Sequence, residues 1–90
     1  MIDARVTILN RLGLHARVAA KLVNLSKAFK ANVRLRLHDK CVDAKSIMGV
    51  MMLAATQGTE LQLSIEGEDE KEAFEVIKAL FEDQFGELDQ

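Results

Sequence analysis

The sequence predicts an α+β fold in which a four-stranded antiparallel sheet carries three helices on one face. Two patterns indicate this: four short segments alternate apolar and polar residues, and three longer segments repeat apolar residues at helical spacing. The order of these segments is β-α-β-β-α-β-α, and a tight turn joins the second and third strands. Two β-α-β halves joined by a hairpin form a split arrangement with the helices on one side of the sheet. At 90 residues, the chain is expected to form a single domain spanning residues 1–90.

The first strand is predicted at residues 5–9, where Val6 and Ile8 share one face and polar residues occupy the other. Gly13 allows the chain to turn after this strand. His15 follows as the predicted N-cap of the first helix. The apolar face of that helix is expected to contain Ala16, Ala19, Leu22, Val23 and Phe29.

The second and third strands are predicted to form a hairpin. Residues 32–38 alternate in polarity, with every second residue from Val33 to Leu37 facing the core. Residues 38–40 form the predicted turn, and residues 41–43 form the returning strand.

The second helix is predicted to begin at Ser46, a residue type that favours the N-cap position. Its apolar residues recur at helical spacing, and Met51 is expected to fill the core. The positions in this pattern are Ile47, Val50, Met51 and Ala54.

The last strand and the last helix complete the pattern. Residues 60–66 alternate as a fourth strand, and Asp69 with Glu72 is predicted to cap the helix that follows. Gly86 is expected to end this helix, so that residues 87–90 form a frayed tail. Its predicted apolar face comprises Ala73, Ile77, Leu80, Phe81 and Phe85.

Composition excludes several classes of protein. No apolar run approaches the roughly 20 residues of a membrane span, and the N-terminus lacks the apolar core of a signal peptide. Cys41 is the single cysteine, so an internal disulfide is excluded and a metal site has no partner for it. Binding of nucleic acid is disfavoured because Trp and Tyr, which stack on bases, are absent. We therefore expect a cytoplasmic protein that binds no membrane and needs no metal or cofactor.

His15 is the strongest candidate for a functional residue. It lies in residues 1–50, where ten Lys/Arg against three Asp/Glu give a balance of +7, whereas residues 51–90 have two against eleven and a balance of −9. A helix N-terminus offers unpaired N–H groups and the positive end of the helix dipole, which together bind anions. Arg17 adds a positive charge two residues later. This combination suits a histidine that carries a phosphoryl group.

Two blocks of sequence identify a family. Residues 12–17, Leu-Gly-Leu-His-Ala-Arg, resemble the active-site signature of HPr, the histidine phosphocarrier of the phosphoenolpyruvate phosphotransferase system. Residues 45–54 resemble its second signature, and residues 57–60 and 66–70 follow in the family's order. The resemblance implies an open-faced β-sandwich. One departure is Val18, which occupies the position where most of the family has proline.

The resemblance also implies a mechanism and its residues. Phosphorylated Enzyme I would donate a phosphoryl group to Nδ1 of His15, which would pass it to a histidine of an Enzyme IIA-type domain. Arg17 and the backbone N–H of Ala16 would stabilise the phosphoryl group. The protein would work as a monomeric carrier rather than an enzyme. In some members of the family a regulatory kinase phosphorylates the serine equivalent to Ser46, so Ser46 is a candidate phosphorylation site here. The surface expected to dock its partners comprises Leu14, Ile47, Met48, Met51 and Met52.

Two other functions compete with the carrier. A regulatory docking protein of the same fold would act through residues 46–52 without transferring phosphate, but the presence of His15 argues against it. A small histidine-dependent phosphatase would need a general acid near its site, and no acidic residue lies between Asp3 and Asp39.

The branch of the family is a separate question. Residues 10–15, 51–53 and 79–85 resemble the nitrogen-related branch, NPr. Residues 46–49 resemble members of the sugar branch whose serine is regulated. We favour the nitrogen-related or regulatory branch.

Overall fold

The computed structural model describes residues 1–87 and contains the predicted elements in the predicted order. The chain folds as four strands and three α-helices, with a short 3-10 helix after the last of them. Their bounds are β1 Ile2–Thr7, α1 Ala16–Lys27, β2 Asn32–Leu37, β3 Lys40–Asp43, α2 Ile47–Met52, β4 Glu60–Glu66, α3 Glu70–Glu82 and the 3-10 helix Gln84–Gly86.

The four strands form one antiparallel sheet in the order β1-β4-β2-β3. Leu63 lies at its centre, paired with Ala4 of β1 on one side and with Leu35 of β2 on the other. The alternation in β2 and β4 turns every second side chain toward the core, with Leu37 only partly buried, while the residues between them are exposed except for the half-buried Ser64. The predicted α+β class and topology are therefore confirmed.

Several predicted ends are wrong. The first strand lies earlier than residues 5–9, α1 ends two residues before Phe29, and α2 ends before Ala54. The third helix ends at Glu82 rather than at Gly86, because the backbone enters the left-handed region at Gln84, with φ 54°, and stays there at Phe85, with φ 55°. Phe85 nevertheless stays in the core, as its place on the apolar face required. None of the helices within residues 1–87 is long and apolar enough to span a bilayer.

The predicted capping pair of α3 is also wrong. The carboxylate of Asp69 makes no capping hydrogen bond, and it accepts hydrogen bonds from the amides of Lys30 and Ala31 at 2.9 and 2.8 Å. The Lys30 amide, above all, lowers the pKa of Asp69 below its usual value. Glu70 rather than Glu72 accepts from the amide before the helix, at Gly67. Asp69 therefore joins the start of α3 to the connection between α1 and β2.

Candidate functional site

The loop that presents His15 is fixed at its base by the backbone. Gly13 has φ +71°, a conformation that side-chain-bearing residues rarely adopt, and a Cβ there would lie 2.5 Å from the carbonyl oxygen of Ala55. The next amide, of Leu14, donates to the same carbonyl at 3.0 Å. The loop thus packs directly on the segment after α2, and only glycine allows the close approach.

His15 is the N-cap of α1, as predicted. Its carbonyl accepts from the amide of Ala19 at 2.8 Å, which starts the helix, but its side chain makes no cap hydrogen bond. Within residues 1–87, the amides of Ala16, Arg17 and Val18 have no acceptor. These donors, together with the helix dipole, form the anion-binding geometry expected beside His15.

The side chains after His15 divide between solvent and core. Arg17 is exposed, and after the larger effect of a hydrogen bond from His15, its positive charge contributes to the lowered pKa of the Glu87 carboxyl. Val18 is fully buried and packs in the core. The aliphatic side chain at the family's usual proline position thus contributes to packing, while its amide remains a third donor at the helix start.

Glu87 contacts the imidazole, a contact that the sequence did not predict. Its carboxylate oxygens Oε2 and Oε1 lie 2.8 and 2.9 Å from Nε2 of His15. An ionised carboxylate can only accept hydrogen bonds, so Nε2 carries a proton, and in the neutral imidazole Nδ1 then carries the lone pair. No hydrogen bond to Nδ1 forms within residues 1–87. The geometry therefore leaves Nδ1 as the available nucleophile.

The predicted frayed tail is thus wrong at its first residue. Glu87 is only 6% exposed, and the hydrogen bond from His15, followed by one from Asn10, lowers the pKa of its carboxyl. Residues 88–90 lie outside the described part of the chain. Phe85 could have indicated in the sequence that Glu87 is ordered. A buried aromatic side chain two residues before Glu87 keeps this part of the chain against the protein.

The contact with Glu87 removes the objection that a phosphatase would lack an acidic side chain near His15. An acidic side chain does reach His15, from a position 72 residues away in sequence. It lies on the Nε2 edge of the ring, however, whereas a phosphoryl group on Nδ1 would lie on the other edge. Its carboxylate is therefore not placed to activate a water molecule that attacks the phosphorus.

The predicted docking surface is exposed in part. Met48 is 71% exposed, and Ile47 and Met52 are also exposed. Met51 is 40% exposed, so the expectation that it fills the core is wrong, since Val50 is the residue of α2 that is buried. We call the four side chains Ile47, Met48, Met51 and Met52 the α2 patch.

Leu14 does not belong to that surface. Its side chain is 5% exposed and lies in the core, so its predicted role in docking is wrong. The burial follows from the close contact of its loop with Ala55, which holds the backbone inward. Leu12, three residues before His15, is exposed instead.

Ser46 caps α2, as its residue type predicted. Its Oγ accepts a hydrogen bond from the amide of Gly49 at 3.1 Å. The role expected for the serine hydroxyl from local structure is therefore confirmed, while its phosphorylation stays a prediction from the resemblance.

Known proteins match the chain over almost its whole length. The family model described as "PTS HPr component phosphorylation site" matches residues 2–83. A "Phosphocarrier protein HPr" from Xylella fastidiosa is 48% identical over 97% of this chain and 98% of its own length. The crystal structure of HPr-C-His from Thermoanaerobacter tengcongensis has a TM-score of 0.93 at 42% identity, covering 97% of this chain and 98% of that one. A crystal structure of an HPr dimer from the same organism has a TM-score of 0.78 at 42% identity and covers 97% and 100%.

Proposed function

This chain belongs to the HPr family of the phosphotransferase system, and from that premise we propose that His15 accepts a phosphoryl group from phosphorylated Enzyme I and passes it to a histidine of an Enzyme IIA-type protein. As a member of this family, the chain is a phosphocarrier rather than a catalytic enzyme. The observation that carries the proposal is the state of the imidazole: Nε2 contacts Glu87, and Nδ1, in the N-cap residue of α1, accepts no hydrogen bond from residues 1–87.

The first step is attack by the Nδ1 lone pair on the phosphorus. An uncharged imidazole with its proton on Nε2 is the reactive form, because Nδ1 needs its lone pair to attack. The positive end of α1 then stabilises the phosphoryl oxygens by about 0.3–1 kcal/mol, or up to about 2 kcal/mol if the group is partly buried.

Hydrogen-bond donors to the phosphoryl oxygens come from the first turn of α1. The amides of Ala16 and Arg17 lie nearest in sequence to His15, and the amide of Val18 is a third unpaired donor in the described part of the chain. The exposed guanidinium of Arg17 adds charge-assisted hydrogen bonds. The site stays open to solvent on one side, so the phosphoryl group is held and can still be removed by the next protein.

Enzyme I and the Enzyme IIA-type domain would dock in turn on the α2 patch. Contiguous apolar side chains at a surface are typical of interaction sites, and methionine adapts its shape to partners that differ. We extend this patch to Leu12, whose exposed side chain precedes the loop of His15. We propose that the protein works as a monomer in the cytoplasm, where it would meet both partners and phosphoenolpyruvate. A dimer is the alternative to test, because a similar solved structure is an HPr dimer.

The regulatory docking protein remains the second candidate, because the α2 patch would serve it equally well. It differs from the carrier in one property: it would bind partners without becoming phosphorylated on His15. The nitrogen-related branch and a kinase acting on Ser46 stay predictions, since both depend on partners of the chain.

Labelling by Enzyme I tests the proposal. The protein is mixed with phosphoenolpyruvate and purified Enzyme I of the sugar type or of the nitrogen type, and its intact mass is measured before and after addition of acid. We expect one acid-labile phosphoryl group on the parent and on His38→Ala, which removes the exposed histidine of the β2–β3 turn, and none on His15→Ala. The faster donor identifies the branch. Absence of labelling with both donors would refute the carrier and leave the docking regulator.

A further inference from the structure

The carboxylate of Glu87 occupies a built site rather than a surface position. Asn10, which is fully buried, donates from Nδ2 to Oε1 of Glu87 at 3.1 Å and to the carbonyl of Gly13 at 2.8 Å. One amide group thus holds both the carboxylate and the loop that leads to His15. The family match ends at residue 83, so Glu87 lies beyond the matched range.

The turn that carries Glu87 is held from two sides. The ring of Phe85 is buried and meets the ring of Phe81 edge-on, with centroids 4.9 Å apart. Lys21 of α1 donates from Nζ to the carbonyl oxygen of Phe85 at 2.8 Å. Both contacts are independent of the contact with His15, so the position of Glu87 is set by the fold.

We propose that Glu87, held by Asn10, is a positioning residue that keeps the proton on Nε2 of His15 through the whole phosphoryl cycle. This inference rests on the proposed function, because it concerns the transfer of a phosphoryl group through Nδ1. It assigns the last described residue of the chain a role in the chemistry of His15.

The steps balance without any proton entering or leaving the ring. The Nδ1 lone pair attacks the phosphorus, the Nδ1–P bond forms, and the bond from phosphorus to the donor atom breaks with its electron pair staying on the donor. The product is a positively charged phosphoimidazole whose Nε2–H donates to the Glu87 carboxylate. In the second transfer, the acceptor nitrogen attacks the phosphorus, the Nδ1–P bond breaks, and its electron pair returns to Nδ1.

The proton on Nε2 matters for the second transfer. With that proton in place, the ring leaves as neutral imidazole, whereas without it the ring must leave as an imidazolate anion, which is a much poorer leaving group. A carboxylate that accepts from the far nitrogen of a histidine fixes its tautomer and stabilises the charge that develops on the ring. Glu87 therefore favours onward transfer, while the helix N-terminus favours retention of the phosphoryl group.

Glu87→Gln tests the role because it removes the charge and keeps the shape. Glu82→Gln is the matched control, since it makes the same change of charge at an exposed glutamate near the end of α3. Glu87→Asp keeps the charge but shortens the side chain, so it separates the contribution of the charge from that of the direct contact with His15. All variants are checked for folding by urea denaturation and are phosphorylated by Enzyme I.

Two rates measured on the phosphorylated proteins test the role of Glu87: the rate of transfer to the acceptor and the rate of spontaneous hydrolysis. At pH 8, we expect Glu87→Gln to transfer to the Enzyme IIA-type acceptor about 10- to 100-fold more slowly than the parent, the range found when a hydrogen-bond partner of a metal-bound histidine is removed. Spontaneous hydrolysis of its phosphoryl group should also become slower, whereas a merely loosened site would give faster or unchanged hydrolysis. Glu82→Gln should match the parent in both measurements, and Glu87→Asp should lie between the parent and Glu87→Gln.

The outcomes separate the two proposals. If the parent becomes labelled and Glu87→Gln transfers and hydrolyses at the rates of Glu82→Gln, the positioning role is overturned while the carrier stands. Faster hydrolysis in Glu87→Gln overturns it as well, because Glu87 would then only shield the site. If the parent is never labelled, the proposed function fails first.

Discussion

Replacing Gly13 by alanine should destabilise the protein through two effects that can be separated. The backbone at Gly13 has φ +71°, and the left-handed region costs an L-residue roughly 1–2 kcal/mol. The new Cβ would also lie 2.5 Å from the carbonyl oxygen of Ala55 and 3.0 Å from Cα of Thr56. Both neighbours are backbone atoms, so the clash is relieved only by moving the loop.

Moving the loop costs a hydrogen bond. The amide of Leu14 donates to that same carbonyl of Ala55 at 3.0 Å, and loss of a hydrogen bond costs about 0.5–1.5 kcal/mol. With the strain included, we expect Gly13→Ala to lower the free energy of unfolding by about 1.5–3.5 kcal/mol. Gly58→Ala is the matched control, because Gly58 has φ +88° and no atom within 4 Å of the added Cβ. It should cost only the strain, about 1–2 kcal/mol.

Urea denaturation followed by circular dichroism measures the difference. For a protein of this size the slope is about 1 kcal/mol per M, so the midpoint of Gly13→Ala should fall about 1 M below that of Gly58→Ala. Labelling of Gly13→Ala by Enzyme I should also slow, because its loop leads to His15, whereas Gly58→Ala should be labelled normally. Equal midpoints for the two variants would refute the close contact between the loop and Ala55.

Three further predictions concern the cap of α2, the carboxylate before α3 and the α2 patch. Ser46→Ala removes the acceptor of the Gly49 amide and should lower the free energy of unfolding by about 1 kcal/mol, which urea denaturation would detect; no change would exclude the cap. The Asp69 carboxylate has a lowered pKa, so its stabilisation is complete above the ordinary pKa of about 3.9 and is lost as the pH falls through the folded value. Asp69→Asn should therefore be less stable than the parent at pH 7 and approach it as the pH falls through the folded pKa of Asp69, and an equal gap at every pH would contradict this. Met48→Ala with Met52→Ala should raise the KM of Enzyme I about tenfold at unchanged stability, and an unchanged KM would place docking elsewhere.

The strands and the position of His15 follow from local pattern. In β2 and β4, the alternation continues over six and seven residues, so Leu35 and Leu63 could be assigned to the core from sequence alone. The placement of His15 at a helix start followed from the glycine before it and the apolar spacing after it. These features depend on residues that are close together in the chain, so the local sequence pattern is enough to predict them.

Three of the wrong predictions concern contacts between distant segments. Glu87 reaches His15 across 72 residues, and Asp69 accepts from Lys30 across 39. Leu14 is buried because its loop docks on Ala55, which no periodicity reveals. Met51 was misplaced because α2 has only six residues, too few to define which side of the helix faces the core.

The identity of the nitrogen that carries phosphate tests the account most directly. The protein would be labelled with ¹⁵N in its histidines, phosphorylated by Enzyme I and examined by ³¹P–¹⁵N correlation NMR. Because Glu87 occupies Nε2 of His15, we expect a single phosphorus coupled to Nδ1 of His15, with the proton retained on Nε2. Coupling to Nε2 would contradict the account, since the carboxylate would have to leave the ring for the phosphoryl group to bind there.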